Sequence, residues 1–296
     1  MQKMCILLAF VLVFSFAACK QQAQEGMETT NSQAAITTEA TEQETIVKEK
    51  KTLGNFVTDA PISRPPYISS VKDYFAVYHF MSPEIVGMID VMFHEPIRDT
   101  GKLYPLIIFF HGRGENLSLN HLGTSGTMVE YLINLENDDE AFSAYTLVPI
   151  TPTSEEVTWS GNRYQLLLKM IPYLIENYDI DPKRVYVTGI SMGGFVTCQV
   201  VSDLPPRTFA AAIPLSGARN LKEPHKFVDT AFQIHHSTND ELVGVQNARN
   251  LYQQLLDCNY PKVQYMEYPS GTHASTQYSV FRSMLFYNWL FNQHLP

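Results

Sequence analysis

The chain has only four cysteines, and two of them, Cys5 and Cys19, fall at its very start. Cys198 and Cys258 remain, and nothing in the sequence brings them together, so they read as two buried thiols. No Cys or His spacing matches a zinc site. Basic residues are also scarce, 21 Lys and Arg against 30 Asp and Glu, for a net charge of −9. That balance argues against nucleic acid or an anionic membrane surface as the main partner. No internal repeat is visible. Large apolar residues are almost missing from residues 20–53, which are rich in Gln, Thr, Glu, Ala and Lys. Such a segment cannot bury enough surface to offset its ordering entropy, so residues 19–54 are expected to form a disordered tether.

The leader "MQKMCILLAFVLVFSFAACK" has one Lys and then an apolar run from Cys5 to Ala18. The run is too short to span a bilayer comfortably and has the length of a signal-peptide core. It ends in small residues before Cys19, and "FAAC" resembles the lipobox of bacterial lipoproteins, with Phe16 where Leu is usual. The resemblance implies a signal peptide over residues 1–18, lipidation of Cys19 and anchorage in the cell envelope through more than one acyl chain. An ordinary cleaved signal and an uncleaved anchor are the alternatives.

What remains is an ordinary globular composition, 45% apolar and 17% charged, long enough for a sizeable core. From about Asn55 short apolar runs alternate with helical patterns. "YFAVYHF" and "GMIDVMFHEP" predict two strands joined by a turn at Ser82-Pro83. Strands are then expected in "YPLIIFFHG", "AYTLVPITP", "RVYVTGI", "FAAAIPLSGA", "TAFQIHHSTND" and "KVQYMEYPS". Helical spacing fills most intervals between them, with Pro172 as a kink and residues 275–294 as one last helix. Strand–helix alternation predicts an α/β fold: a doubly wound, mostly parallel sheet with an N-terminal antiparallel hairpin. Its chemistry is expected at the carboxyl ends of the strands.

Gly189-Ile190-Ser191-Met192-Gly193 is a G-x-S-x-G that follows a strand and opens a helix. In that position it reads as a nucleophile elbow, a tight turn that lifts a Ser hydroxyl clear of the sheet. The bland alternative is a Gly-rich turn with a helix-capping Ser. A Ser needs a base and the base needs an orienting carboxylate, in chain order Ser, acid, His. Asp240, after "AFQIHH", and His273, after "VQYMEY", meet that order. Glu241 is the competing acid, and Asp229 and Asp203 fit less well. His294 lies at the chain end, while His235 and His236 sit in or at the end of a strand, as core or pocket-rim residues. Acyl transfer also requires oxyanion donors. "FFHGRGEN" places the amide of Arg113 after a central strand, and the amide of Met192 follows the nucleophile.

Together "HGRGE", "GISMGG", "STNDELV" and "GTHAS" resemble the α/β-hydrolases over residues 70–296. The nearer likeness is to the branch of feruloyl and acetylxylan esterases, polyhydroxybutyrate depolymerases and "predicted peptidases". The resemblance implies ester hydrolysis without metal or cofactor, with the catalytic domain over residues 55–296. The family often shows "HGxGExGxDN", from which "HGRGENLSLN" departs in its second half, at Asn116 and Asn120. Trp159, His111 and His236 are the expected substrate contacts, with Trp159 alternatively a lid over core. The short segment between Ser216 and Thr230 predicts no large cap and an open site. A peptidase of the prolyl-oligopeptidase-like branch would use the same three residues. A non-catalytic glycan-binding envelope protein is the reading from another class.

Overall fold

The computed structural model describes residues 56–58, 74–96, 101–113, 128–151 and 159–296. The leader, the tether with Cys19, and Glu115, Asn116 and Asn120 lie outside the described residues.

The chain opens with three antiparallel strands, β1 (Phe56–Thr58), β2 (Ala76–Ser82) and β3 (Ile85–His94). The β2–β3 hairpin was expected, whereas β1 carries no alternation long enough to announce itself. There follow β4 (Tyr104–Phe110), α1 (Met128–Asp138), β5 (Tyr145–Ile150), α2 (Gly161–Asn177) and β6 (Ile180–Ile190). The second half adds α3 (Met192–Asp203), β7 (Ala211–Leu215), β8 (Ala231–Ser237), α4 (Gln246–Asp257) and β9 (Val263–Tyr268). It closes with α5 (Ser275–Phe281) and α6 (Met284–Phe291).

All nine strands form one sheet in the order β1-β2-β3-β5-β4-β6-β7-β8-β9. Pairing is antiparallel from β1 to β5 and parallel from β5 to β9. Both faces are covered, as the unbroken apolar run of β4 predicts. Leu106, Ile108 and Phe110 enter a core that includes residues of α2, α3 and α4. Their neighbours Ile107 and Phe109 enter another, which includes residues of α1, α5 and α6. Between Leu215 and Ala231 the chain makes one short turn of 3-10 helix, at Pro224–Phe227, so no large cap is inserted there. This is the α/β-hydrolase architecture.

The expected single last helix is two. Ser283 is extended, with φ −95° and ψ 117°, and separates α5 from α6. Carried on unbroken from Val280 and Phe281, the helical period would bring Met284 inward and turn Phe286 out. The break resets the phase, so that Phe286, Tyr287 and Leu290 are buried while Met284 and Leu285 stay exposed. The period of an apolar helix says which residues share a face, and this stretch has apolar residues enough for two phases. Pro172 lies within α2 without ending it.

Candidate active site

The carboxyl ends of β4, β6 and β8 and the loop after β9 meet at one edge of the sheet. Ser191 stands between β6 and α3 with φ 57° and ψ −117°, a region that non-glycine residues rarely enter. Its amide donates to Leu215 O at 2.8 Å, and its carbonyl accepts from the amide of Phe195 at 3.2 Å. The neighbouring glycines make room for this turn. A Cβ on Gly193 would come 2.0 Å from Phe110 O, so the first turn of α3 sits directly on the end of β4. A Cβ on Gly217 would come 2.1 Å from Ser191 O.

Asp240 lies on the loop after β8 with its side chain fully buried. Its Oδ1 accepts from the amides of Leu242 at 2.9 Å and Val243 at 2.8 Å. Nδ1 of His273 lies 2.9 Å from Oδ1 and 2.7 Å from Oδ2. Burial pushes the Asp240 carboxyl pKa up, but the Val243 amide, His273 and the Leu242 amide outweigh it and hold the group below its usual range. His273 is tied at three points: its ring by Asp240, its amide by Glu241 Oε2 at 3.0 Å, and its carbonyl by Ser216 Oγ at 3.2 Å. Glu241 therefore holds the His273 backbone rather than its ring. Among the described residues no hydrogen bond engages His273 Nε2.

Ser191 and His273 line one cavity of about 400 Å³. Gly112 and Arg113 close one side of it, and Ile190, Val243, Ala274 and the exposed Leu242 give it apolar walls. Met192 is the first residue of α3, so its amide lacks an intrahelical acceptor. The four residues on which the sequence reading rested, Ser191, Asp240, His273 and Arg113, thus share this edge.

Other expectations are corrected. His111 is buried, and its ring is consumed by the fold. Its Nδ1 donates to Gly112 O at 2.7 Å, while Nε2 accepts from the Thr151 amide at 3.2 Å. It ties the loop after β4 to the end of β5 and does not reach the cavity lining. Trp159 is buried too, its ring edge-on to Phe110 at 5.4 Å, which fits a lid over core rather than a cavity wall. His236 has no exposed side-chain surface and points behind Asp240. Position in the sequence does not fix the direction these side chains take. All seven residues of β8 are buried, so alternation there gives no sign of which face a side chain takes.

The competing groups are engaged elsewhere. Asp229 pairs with Arg207 Nε at 2.7 Å, and Asp203 accepts from Tyr164 at 2.7 Å and pairs with Lys222. His235 is bonded to Tyr268 and Gln233, and burial pushes its pKa down to about 3. Cys198 and Cys258 are free thiols, Cys198 buried with its pKa pushed up to about 12. The ties made by Ser216 and Glu241 were missed. Ser216 has one signal, its place before Gly217 at a strand end, but its φ of 46° is not readable from composition.

The profile of the prolyl oligopeptidase family (Peptidase_S9) matches residues 156–233, which span β6, Ser191 and α3. A stretch of 49 residues is 45% identical to poly(3-hydroxyalkanoate) depolymerase C of Paucimonas lemoignei, covering 17% of this chain and 12% of that enzyme. The chain spans about a tenth of the length of the curated relatives it matches. Among solved structures a thermostable esterase superposes with a TM-score of 0.66 at 26% identity, over 76% of this chain and 64% of that one. The CE1 ferulic acid esterase of the anaerobic fungus Anaeromyces mucronatus shares the fold, with a TM-score of 0.54 at 18% identity, over 81% of this chain and 96% of that one. The chain has the α/β-hydrolase fold, and the proteins it is similar to include esterases and peptidases.

Proposed function

We propose that the protein hydrolyses carboxylic esters through an acyl-enzyme. Ser191 Oγ attacks the ester carbonyl while His273 Nε2 takes its proton. Asp240 holds the imidazole and balances the charge it gains. The amides of Arg113 and Met192 receive the oxyanion. His273 then protonates the departing alcohol, and water, activated by the same ring, releases the acid and frees Ser191. The observation that carries this reading is the grouping of Ser191 and His273 on one cavity, with the buried Asp240 bonded to the ring.

The substrate class we favour is an acetyl or feruloyl ester on carbohydrate, or another small or polymeric ester. The short Leu215–Ala231 connection leaves room for a polymer-borne acyl group, and apolar Leu242 and Val243 offer it a wall. The match to the prolyl oligopeptidase family supports a second reading, a serine peptidase. A fluorophosphonate probe should label Ser191, and aryl acetates and feruloyl esters should turn over faster than peptide amides. Faster amides would reverse the order of the two readings, and an unlabelled Ser191 would leave a non-catalytic binding protein.

We also propose that Cys19 is lipidated and anchors the protein in the cell envelope, on the strength of the "FAAC" pattern alone. Cys19→Ala should shift the protein from the membrane to the soluble fraction and abolish incorporation of labelled palmitate in a bacterial host. Unchanged labelling would sink the assignment.

A further inference from the structure

Behind Asp240, on the side away from the cavity, lies a second imidazole. His236 Nε2 stands 3.1 Å from Asp240 Oδ2 and 2.9 Å from Val243 O, and neither side chain of the His–Asp pair is exposed. Both neighbours of Nε2 are acceptors, so Nε2 must carry a hydrogen. Among the described residues the buried Nδ1 has no hydrogen-bond partner. A hydrogen on Nδ1 would face no acceptor, so the pocket fits an imidazole with one hydrogen, on Nε2. The same Oδ2 accepts from His273 Nδ1 at 2.7 Å. One carboxylate oxygen therefore accepts from the His273 ring and lies beside the His236 ring, whose Nε2–H donates to Val243 O, while Oδ1 is gripped by the amides of Leu242 and Val243. The other charged group facing this loop, Glu241, is turned to the His273 amide.

We propose that His236 is a positioning residue for ester hydrolysis: its Nε2–H, donated to Val243 O, pins the turn whose amides hold Asp240 Oδ1, and its polar edge, 3.1 Å from Oδ2, keeps the carboxylate turned to the His273 ring. The proposal rests on the Ser191–His273–Asp240 reading above. Without this donor the carboxylate can turn about its bond to Cβ, and it becomes a stronger acceptor toward His273. The imidazolium of His273 is then favoured, and the unprotonated base appears only at higher pH.

Gln and Asn separate reach from polarity at this position. The Gln side-chain nitrogen overlies His Nε2, whereas that of Asn overlies Nδ1 and falls short of Asp240. His236→Asn should lower kcat on an aryl ester roughly tenfold with KM nearly unchanged, as for loss of one buried hydrogen bond beside the carboxylate. The acidic limb of its kcat/KM profile should move to higher pH. His236→Gln should restore kcat to within about threefold of the native enzyme and return the limb. Equal behaviour of the Asn and Gln variants, or a native profile for Asn, would overturn the proposal. Nitrogen-15 NMR of the unsubstituted protein gives a reading independent of any variant. Hydrogen on Nε2 of His236 is expected, and hydrogen on Nδ1 would overturn the assignment. Fluorophosphonate labelling of the unsubstituted enzyme at Ser191 is scored first. Its failure removes the ester-hydrolase reading, whereas labelling together with a native Asn profile removes only the role of His236.

Discussion

Ser191→Ala is expected to lower kcat on an aryl ester by about 10⁶-fold, leaving only the turnover that binding and oxyanion donors sustain. Fluorophosphonate labelling should vanish with it. Stability separates this variant from Ser191→Gly. The backbone at Ser191, φ 57° and ψ −117°, is strained for any residue with a Cβ. Alanine keeps the Cβ and the strain. Glycine removes about 1–3 kcal/mol of strain and gives back about 0.4–1 kcal/mol through the entropy of the unfolded chain. Ser191→Gly should therefore melt about 2–4 °C above Ser191→Ala, for a net gain near 1 kcal/mol in a domain of this size. Equal melting temperatures would show that the turn stores no strain. A higher melting temperature for Ser191→Gly would mean that Ser191 is held at a cost to the fold, a trade between stability and function.

Asp240→Asn is expected to lower kcat by about 10⁴-fold with little change in KM. The direction follows from the donors around the carboxylate. The amides of Leu242 and Val243 both point at Oδ1, so the Asn carbonyl oxygen must take that place. Its NH₂ group then faces His273 Nδ1 and His236 Nε2. An NH₂ donor toward His273 Nδ1 selects the tautomer with its hydrogen on Nε2, which cannot accept a proton from Ser191. Stability should respond to pH as well. The folded-state pKa of Asp240 lies below its usual value, so its ionised form stabilises the fold above about pH 4. That contribution is lost as pH falls through the folded value. The stability difference between native protein and Asp240→Asn, measured by urea unfolding, should shrink on acidification below about pH 4. A constant difference would mean that the carboxylate gains nothing from its partners.

Much of this site was legible in the sequence because its rules are local. Ser191 needs a strand, tight glycines and a helix within a few residues, and "VYVTGISMGGFV" contains all of them. Asp240 and His273 were found because a parallel sheet places loops after successive strands along one edge. What was not legible depends on side-chain direction and on contacts between distant segments. His236 sits in a strand buried on both faces, where alternation carries no information. Nothing in the sequence shows Ser216 Oγ meeting the carbonyl of His273, 57 residues away. The break at Ser283 went unread for a similar reason: the sequence permits either helical phase, and the core that Phe286, Tyr287 and Leu290 join selects one.

The shortest strand has a consequence of its own. β1 adds three residues to the outer edge of β2, at the end of the sheet opposite β9. Any mechanical load on the chain upstream of Phe56 enters the sheet through those three pairings. β1 is the edge strand and has a partner on one side alone, so its three pairings are the first in the sheet to meet that load. Its release would leave the β2–β3 ladder and the pairing of β4, β6, β7, β8 and β9 in place. Ser191, Asp240 and His273 follow β6, β8 and β9, so the first pairings to meet traction on the amino-terminal segment are not those that carry the site.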